Sequence, residues 1–311
     1  MIKIQIPTNM NELLENHWDW FKNEFIGNDS KKKDFITSKL NLRNINEFER
    51  IIKADYDEMC SYIEQFSEMS LSSEEKIWFG YDAWSRRKNG WNALKYMQNL
   101  NVKVCPYCNR NNIDYTDIRY EKLLSQQQKR IPRASFDHFF PKNIYPYLSC
   151  SLLNLIPCCN TCNSAKHSQN VKIIYPYEND FGENGKFVLK YDITKFNMEV
   201  FNKKNNGSIE DAIFKDLLVE LKTEDPRIKN SKTVFHLETL YSQEHNFIRD
   251  LLDKLSMYLE GWDRAKLLTN SEKVFFKLFF DLPRDSNKIY PYQKITMDII
   301  KQYEPRLANY L

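Results

Sequence analysis

Two Cys-x-x-Cys pairs, Cys105-Pro-Tyr-Cys108 and Cys159-Asn-Thr-Cys162, limit what this chain can become more than any other feature. A two-residue gap turns both thiols toward one point, and two such turns supply a tetrahedral four-sulfur site for zinc. Cys158 also neighbours Cys162, but the two-residue gap favours Cys159. The 50 residues between the pairs exceed a compact zinc ribbon, so the site encloses further structure. The chain holds 7 Cys in 311 residues. That odd count, with no signal-peptide core in Met-Ile-Lys-Ile-Gln-Ile-Pro, argues against a disulfide framework. Cys60 and Cys150 read as small buried hydrophobes. No apolar run approaches the roughly 20 residues of a membrane span, and a cytoplasmic protein without membrane contact is expected.

On either side the pattern is helical. Asn9 and Asn11 precede Leu13, Leu14, Trp18, Phe21 and Phe25, apolar at helical spacing. Ile51, Tyr56, Met59, Tyr62, Ile63 and Phe66 continue the period, and Ser72 with Glu75 forms a capping box opening a helix through Trp78, Tyr81 and Trp84. Low glycine, 7 residues in all, disfavours an all-β chain with many tight turns. Between residues 101 and 170 two short strands are expected, Ser135–Phe140 ended by Pro141 and Leu152–Ile156 ended by Pro157. A short helix follows from Asn160 to about Gln169. Beyond it come a turn at Glu183–Lys186, a strand over Phe187–Tyr191, and helices over 209–224, 232–260, 271–280 and 291–304. The expected organisation is an N-terminal helical region (1–100), a zinc finger (101–170) and a C-terminal hairpin plus helices (171–311).

Several polar residues sit between the cysteine pairs in a pattern that suits metal chemistry. Asn163 and His167 are four apart, so on one helix they share a face and can converge on one ion. Asp137 at the end of the first strand can add a carboxylate. One anionic oxygen, one amide oxygen and one imidazole, with positions left open, suit a catalytic Mg²⁺ or Mn²⁺. His138 then points to the opposite side of the strand and is free to act as a general base. The chain's net charge is +3, yet residues 101–170 carry nine basic side chains against four acids, a hint of polyanion contact.

Taken together, Cys105–Cys108, Asp137-His138, Asn154-Leu155 and Cys159-Asn-Thr-Cys162-Asn163-Ser-Ala-Lys166 resemble the HNH endonuclease family in its zinc-stapled form. The resemblance covers about residues 105–168. It implies a mainly α protein with a small embedded ββα-metal, treble-clef-like zinc finger. Cys105, Cys108, Cys159 and Cys162 would hold structural zinc. Asp137 and Asn163 would be ligands of a catalytic divalent ion, with His167 either a third ligand or a phosphate contact. His138 would activate water, and Asn154 would orient the loop bearing it. Lys166, with Arg119, Lys129, Arg130 and Arg133, would grip nucleic acid, expected to be DNA. No glycine occurs between 139 and 153 and His167 stands where a trailing glycine is usual, both departures from the family's pattern. Cys-Pro-Tyr-Cys-Asn and Phe-Asp-His-Phe-Phe-Pro-Lys in a long helical frame are most similar to the HNH subunits of Septu-type and retron-associated antiphage systems. That likeness implies an ATPase partner and phage restriction. The rival reading is a zinc-stabilised nucleic-acid-binding or scaffold module that does not cut.

Overall fold

Apolar side chains three and four apart build the first hundred residues into short helices around one core. The computed structural model describes residues 1–87, 89–115, 135–190, 217–262, 271–285 and 288–311. Helix α1 (Met10–Asp19) buries Leu13, His17 and Trp18, and runs into a π-helical segment, Trp20–Ile26, that buries Trp20 and Phe21. Helices α2 (Ser30–Lys39), α3 (Phe48–Lys53) and α4 (Tyr56–Gln65) follow, with the Asp29 and Asp55 side chains capping α2 and α4. The Ser72–Glu75 capping box forms, but the helix it opens, α5 (Ser73–Lys76), lasts one turn. Gly80, at φ +87°, breaks the expected continuous helix before α6 (Tyr81–Ser85). A Cβ at Gly80 would stand 3.0 Å from the Phe25 ring, so glycine is what the turn requires. Trp84 is thereby carried into the core, fully buried. Helix α7 (Ala93–Leu100), capped by Asn92, completes this region.

The centre is a small antiparallel pair and a helix. Strand β1 (Ser135–His138) pairs with β2 (Leu155–Cys158), placing Asp137 opposite Ile156 and His138 opposite Leu155. Helix α8 (Asn160–Lys166) packs on β1. A second antiparallel pair, β3 (Gly185–Lys190) with β4 (Leu218–Thr223), lies in the C-terminal part. Over 218–223, β4 corrects the helix expected over 209–224, of which 209–216 lie outside the described residues. Val219 and Leu221 are buried while Leu218 is 58 % exposed, a two-residue alternation that only a strand satisfies. The helix expected over 232–260 is three: α9 (Pro226–Val234), α10 (Leu237–Ser242) and α11 (His245–Trp262). Then come α12 (Ser271–Phe279) and α13 (Gln293–Tyr303). Helix α13 is tied to β3 by polar bonds. Asp298 accepts from the Phe187 amide at 2.8 Å, and Gln302 bonds both the amide and the carbonyl of Leu189.

Buried side chains from Met1 to Leu307 form one contiguous core. The molecule is mainly helical, with a small β/α unit carrying the cysteines embedded in it. Among the described residues, no helix is long and apolar enough to cross a membrane.

Candidate metal centre

Cys105, Cys108, Cys159 and Cys162 converge, their four sulfurs all within 4.8 Å of one another and buried. With Zn–S bonds of about 2.3 Å, a tetrahedral zinc needs sulfurs roughly 3.8 Å apart, so the donor set fits an ion such as Zn²⁺. The first pair sits in a tight turn whose Cys105 amide donates to the Asn111 carbonyl at 2.9 Å and whose Asn109 amide donates to the Cys105 carbonyl at 2.8 Å. The second pair starts α8. Cys159 is its N-cap, and its sulfur accepts from the Cys162 amide at 3.5 Å and from Asn111 Nδ2 at 3.4 Å. Such N–H donors stabilise a thiolate. Hydrogen bonds from the other thiols, Cys105 first, make Cys159 much more acidic than an ordinary thiol, while burial pushes Cys105 well up. Four thiols competing for protons in one pocket are what a divalent cation resolves, by taking all of them as thiolates. Cys158 stays outside the quartet, ending β2 opposite Ser135.

The residues expected to hold a second, catalytic ion are arranged differently. Asp137 is 2 % exposed, and both its oxygens are taken within the protein. Lys166 Nζ lies 3.1 Å from Oδ1 and 3.0 Å from Oδ2, and the Tyr107 hydroxyl donates to Oδ2 at 2.7 Å. Lys166 Nζ also donates to the His138 carbonyl at 2.7 Å. A fixed ammonium therefore stands on the carboxylate where the divalent ion was expected. Burial raises the proton affinity of Asp137, and the Lys166 charge and the Tyr107 bond oppose that. Lys166 is 1 % exposed, so it faces the interior and not a phosphate backbone.

α8 ends at Lys166, and the amide of the next residue, His167, donates to the Asn163 carbonyl at 2.9 Å. His167 is an exposed C-cap residue at φ +45°. Asn163 is half-buried beside Tyr81, Ser135 and Phe136 at a cavity of about 250 Å³. His138 projects to the other side of β1 from Asp137, as strand alternation requires. There its Nε2 lies 3.0 Å from the Ser149 carbonyl, and the Tyr81 ring meets its ring edge-on at 4.3 Å. Burial, helped by the Lys142 charge, pushes its pKa down to about 3, far below the near-neutral value that suits a general base. Asn154 accepts from the Phe140 amide at 2.8 Å and donates to the carbonyls of Phe140 and Leu148, at 3.1 and 3.0 Å. Arg119, Lys129, Arg130 and Arg133 lie outside the described residues.

The nuclease reading is therefore corrected. Among the described residues, the one group of three or more His, Cys, Asp or Glu side chains that converges for a metal is the cysteine quartet. An all-cysteine site is closed and structural, whereas a catalytic zinc site keeps a position for water. Hydrolase and endonuclease activity, and the antiphage role that depended on it, fall with that finding.

The residues that sequence reasoning missed are Tyr107, Asn109 and Asn111. Asn109 is fully buried at φ +51°. Its carbonyl accepts from the Tyr292 amide at 2.6 Å, its Oδ1 from the Lys294 amide at 2.9 Å, and its Nδ2 donates to the Tyr290 carbonyl at 2.9 Å. An Asn directly after a Cys-x-x-Cys turn was the available signal, since Asn tolerates the left-handed region better than most residues. Comparison of the chain with protein-family models, with curated proteins and with solved structures finds no match.

Proposed function

We propose that this protein is a non-catalytic, zinc-stapled scaffold whose helical flanks present binding surfaces to a protein partner. The observation that carries the reading is the closed quartet. Four cysteine ligands leave no place for water or a substrate oxygen, so the ion's task is to hold the fold. The surrounding ties agree with that task. The Tyr241 hydroxyl donates to the Cys108 carbonyl at 2.5 Å, and the Ile2 amide to the Pro106 carbonyl at 2.9 Å, so distant parts of the chain meet at the cysteine turn. Of the four basic residues of 101–170 that lie among the described residues, Arg110 pairs with Glu244, Lys142 with Asp82 and Lys166 with Asp137, and Lys103 lies over the Tyr115 ring. Arg119, Lys122, Lys129, Arg130 and Arg133 lie outside the described residues, so the preference for a protein partner over a nucleic-acid grip rests on the described four.

The test is incubation of zinc-loaded protein with plasmid, linear and single-stranded DNA and with RNA, each with Mg²⁺ or Mn²⁺. The expected result is intact substrate throughout. Metal-dependent cleavage that is lost in His138→Ala overturns the reading.

A further inference from the structure

A groove whose Tyr290–Tyr292 side is tied to Asn109 of the cysteine turn combines aromatic walls with acidic edges. It runs between α11, the turn after α12 at Phe280–Asp281, and the segment Tyr290–Thr296, and encloses about 570 Å³, within the usual range for ligand sites of roughly 300–1,000 Å³. Its aromatic side is built from Phe247, stacked on Tyr292 with centroids 4.2 Å apart, and from Tyr290, 38 % exposed. Met257, 61 % exposed, extends the apolar surface along α11.

Charge in the groove runs opposite to that of the chain. Three carboxylates line it, those of Asp250, Asp253 and Asp281, against one ammonium, that of Lys254. Lys254 is bound to Asp281 at 2.5 Å, so these two neutralise each other. Asp250 and Asp253 are three apart on α11 and lie on one face. Partial burial, and then the charge of Asp250, raise the proton affinity of Asp253, with Arg249 opposing. An incoming cation would relieve that crowding.

We propose that this groove docks a basic segment of a partner protein, one Arg or Lys side chain lying over the Tyr290–Tyr292 wall with its charge against Asp250 and Asp253. An aromatic face attracts a cation through its negative π-surface, and the apolar wall takes the aliphatic stem. A purely apolar segment would leave the two carboxylates desolvated and unanswered, and an acidic one would be repelled. The assignment rests on the binding-module reading and gives its partner a chemistry.

The test uses full-length, zinc-loaded protein and a short fluorescein-labelled peptide alternating Arg and Leu, read by fluorescence polarisation. A Glu–Leu peptide of equal length is the comparison. The Arg–Leu peptide is expected to bind. Asp250→Asn combined with Asp253→Asn weakens binding about tenfold or more, Tyr290→Ala weakens it too, and Asp57→Asn on α4 leaves it unchanged. Zinc content and circular dichroism confirm that each variant is folded. Equal binding of both peptides, or affinity unmoved by the Asp250/Asp253 change, overturns the proposal. An absence of Arg–Leu binding overturns the groove assignment alone. Nuclease activity, measured separately, is what overturns the scaffold reading.

Discussion

Lys166 spends its donors on Asp137 and on the carbonyl of His138, in a site that excludes water. A buried ion pair of this kind is weak evidence of net stability, yet breaking one side is severe because a charge is left unanswered. Lys166→Ala is therefore expected to lower unfolding free energy by about 3–5 kcal/mol. Combining Lys166→Met with Asp137→Asn leaves no buried charge and recovers most of that loss. Urea unfolding of Lys166→Met, Asp137→Asn and the double variant measures the coupling, and a Lys166→Ala midpoint equal to wild type would contradict the expected loss. At this scale the sequence was half legible. The cysteine ligands were readable, including Cys159 over Cys158, because a two-residue gap is a local geometric fact. The partner of Asp137 was not, because Lys166 is 29 residues away and reaches it only once α8 lies against β1. Asn163 and His167 were read as sharing a helix face because the helix was expected to run to about Gln169. His167 already belongs to the turn beyond α8.

β1, β2 and the loop between them depend on one amide side chain. Asn154 spans from the end of β1 to the turn at Leu148 with three hydrogen bonds, and its own carbonyl accepts from the Phe139 amide at 2.8 Å. Asn154→Ala removes the three side-chain bonds and leaves backbone groups unpaired in the interior. The expected loss is roughly 2–4 kcal/mol, read as a lower urea midpoint with zinc content unchanged. A loss below about 0.5 kcal/mol would mean that the loop holds itself. Local signals located elements better than they bounded them. Ser72 with Glu75 marks the start of α5, but β1 ends at His138, short of Pro141, and the strand expected over Leu152–Ile156 is β2 at Leu155–Cys158, with Pro157 inside it opposite Phe136. β4 was missed because Leu217, Leu218 and Val219 form a continuous apolar run that hides the alternation. The alternation appears only when Leu218 is seen to point outward. The division of residues 226–262 into three helices was hidden for a similar reason. His236 takes a positive φ of 50°, a break no glycine or proline announces.

At the scale of the whole molecule, the quartet joins two turns that are distant in sequence and rest on the same core as the flanking helices. Metal loss should therefore unfold more than the cysteine turns. Elemental analysis is expected to give one zinc per chain. Prolonged chelation should lower the thermal midpoint and the far-ultraviolet helical signal together. Cys159→Ser should lose the ion while Cys158→Ser keeps it, and the reverse result would move the fourth ligand by one residue. The mainly helical class was legible from periodicity alone, whereas the way the C-terminal part braces the cysteine turn was not, since Tyr241 and Tyr292 carry no local mark of that role. Their position in the chain has a consequence for biosynthesis. A ribosome releases the polypeptide from its N-terminus, so all four thiols have emerged once Cys162 has, while the Tyr241 hydroxyl that seals the Cys108 carbonyl comes later and the Tyr292 amide that seals Asn109 later still. During that interval the nascent chain can clasp zinc before it can wall it in, and the cysteine turn is most open to oxidation or metal exchange while the last third is still being made.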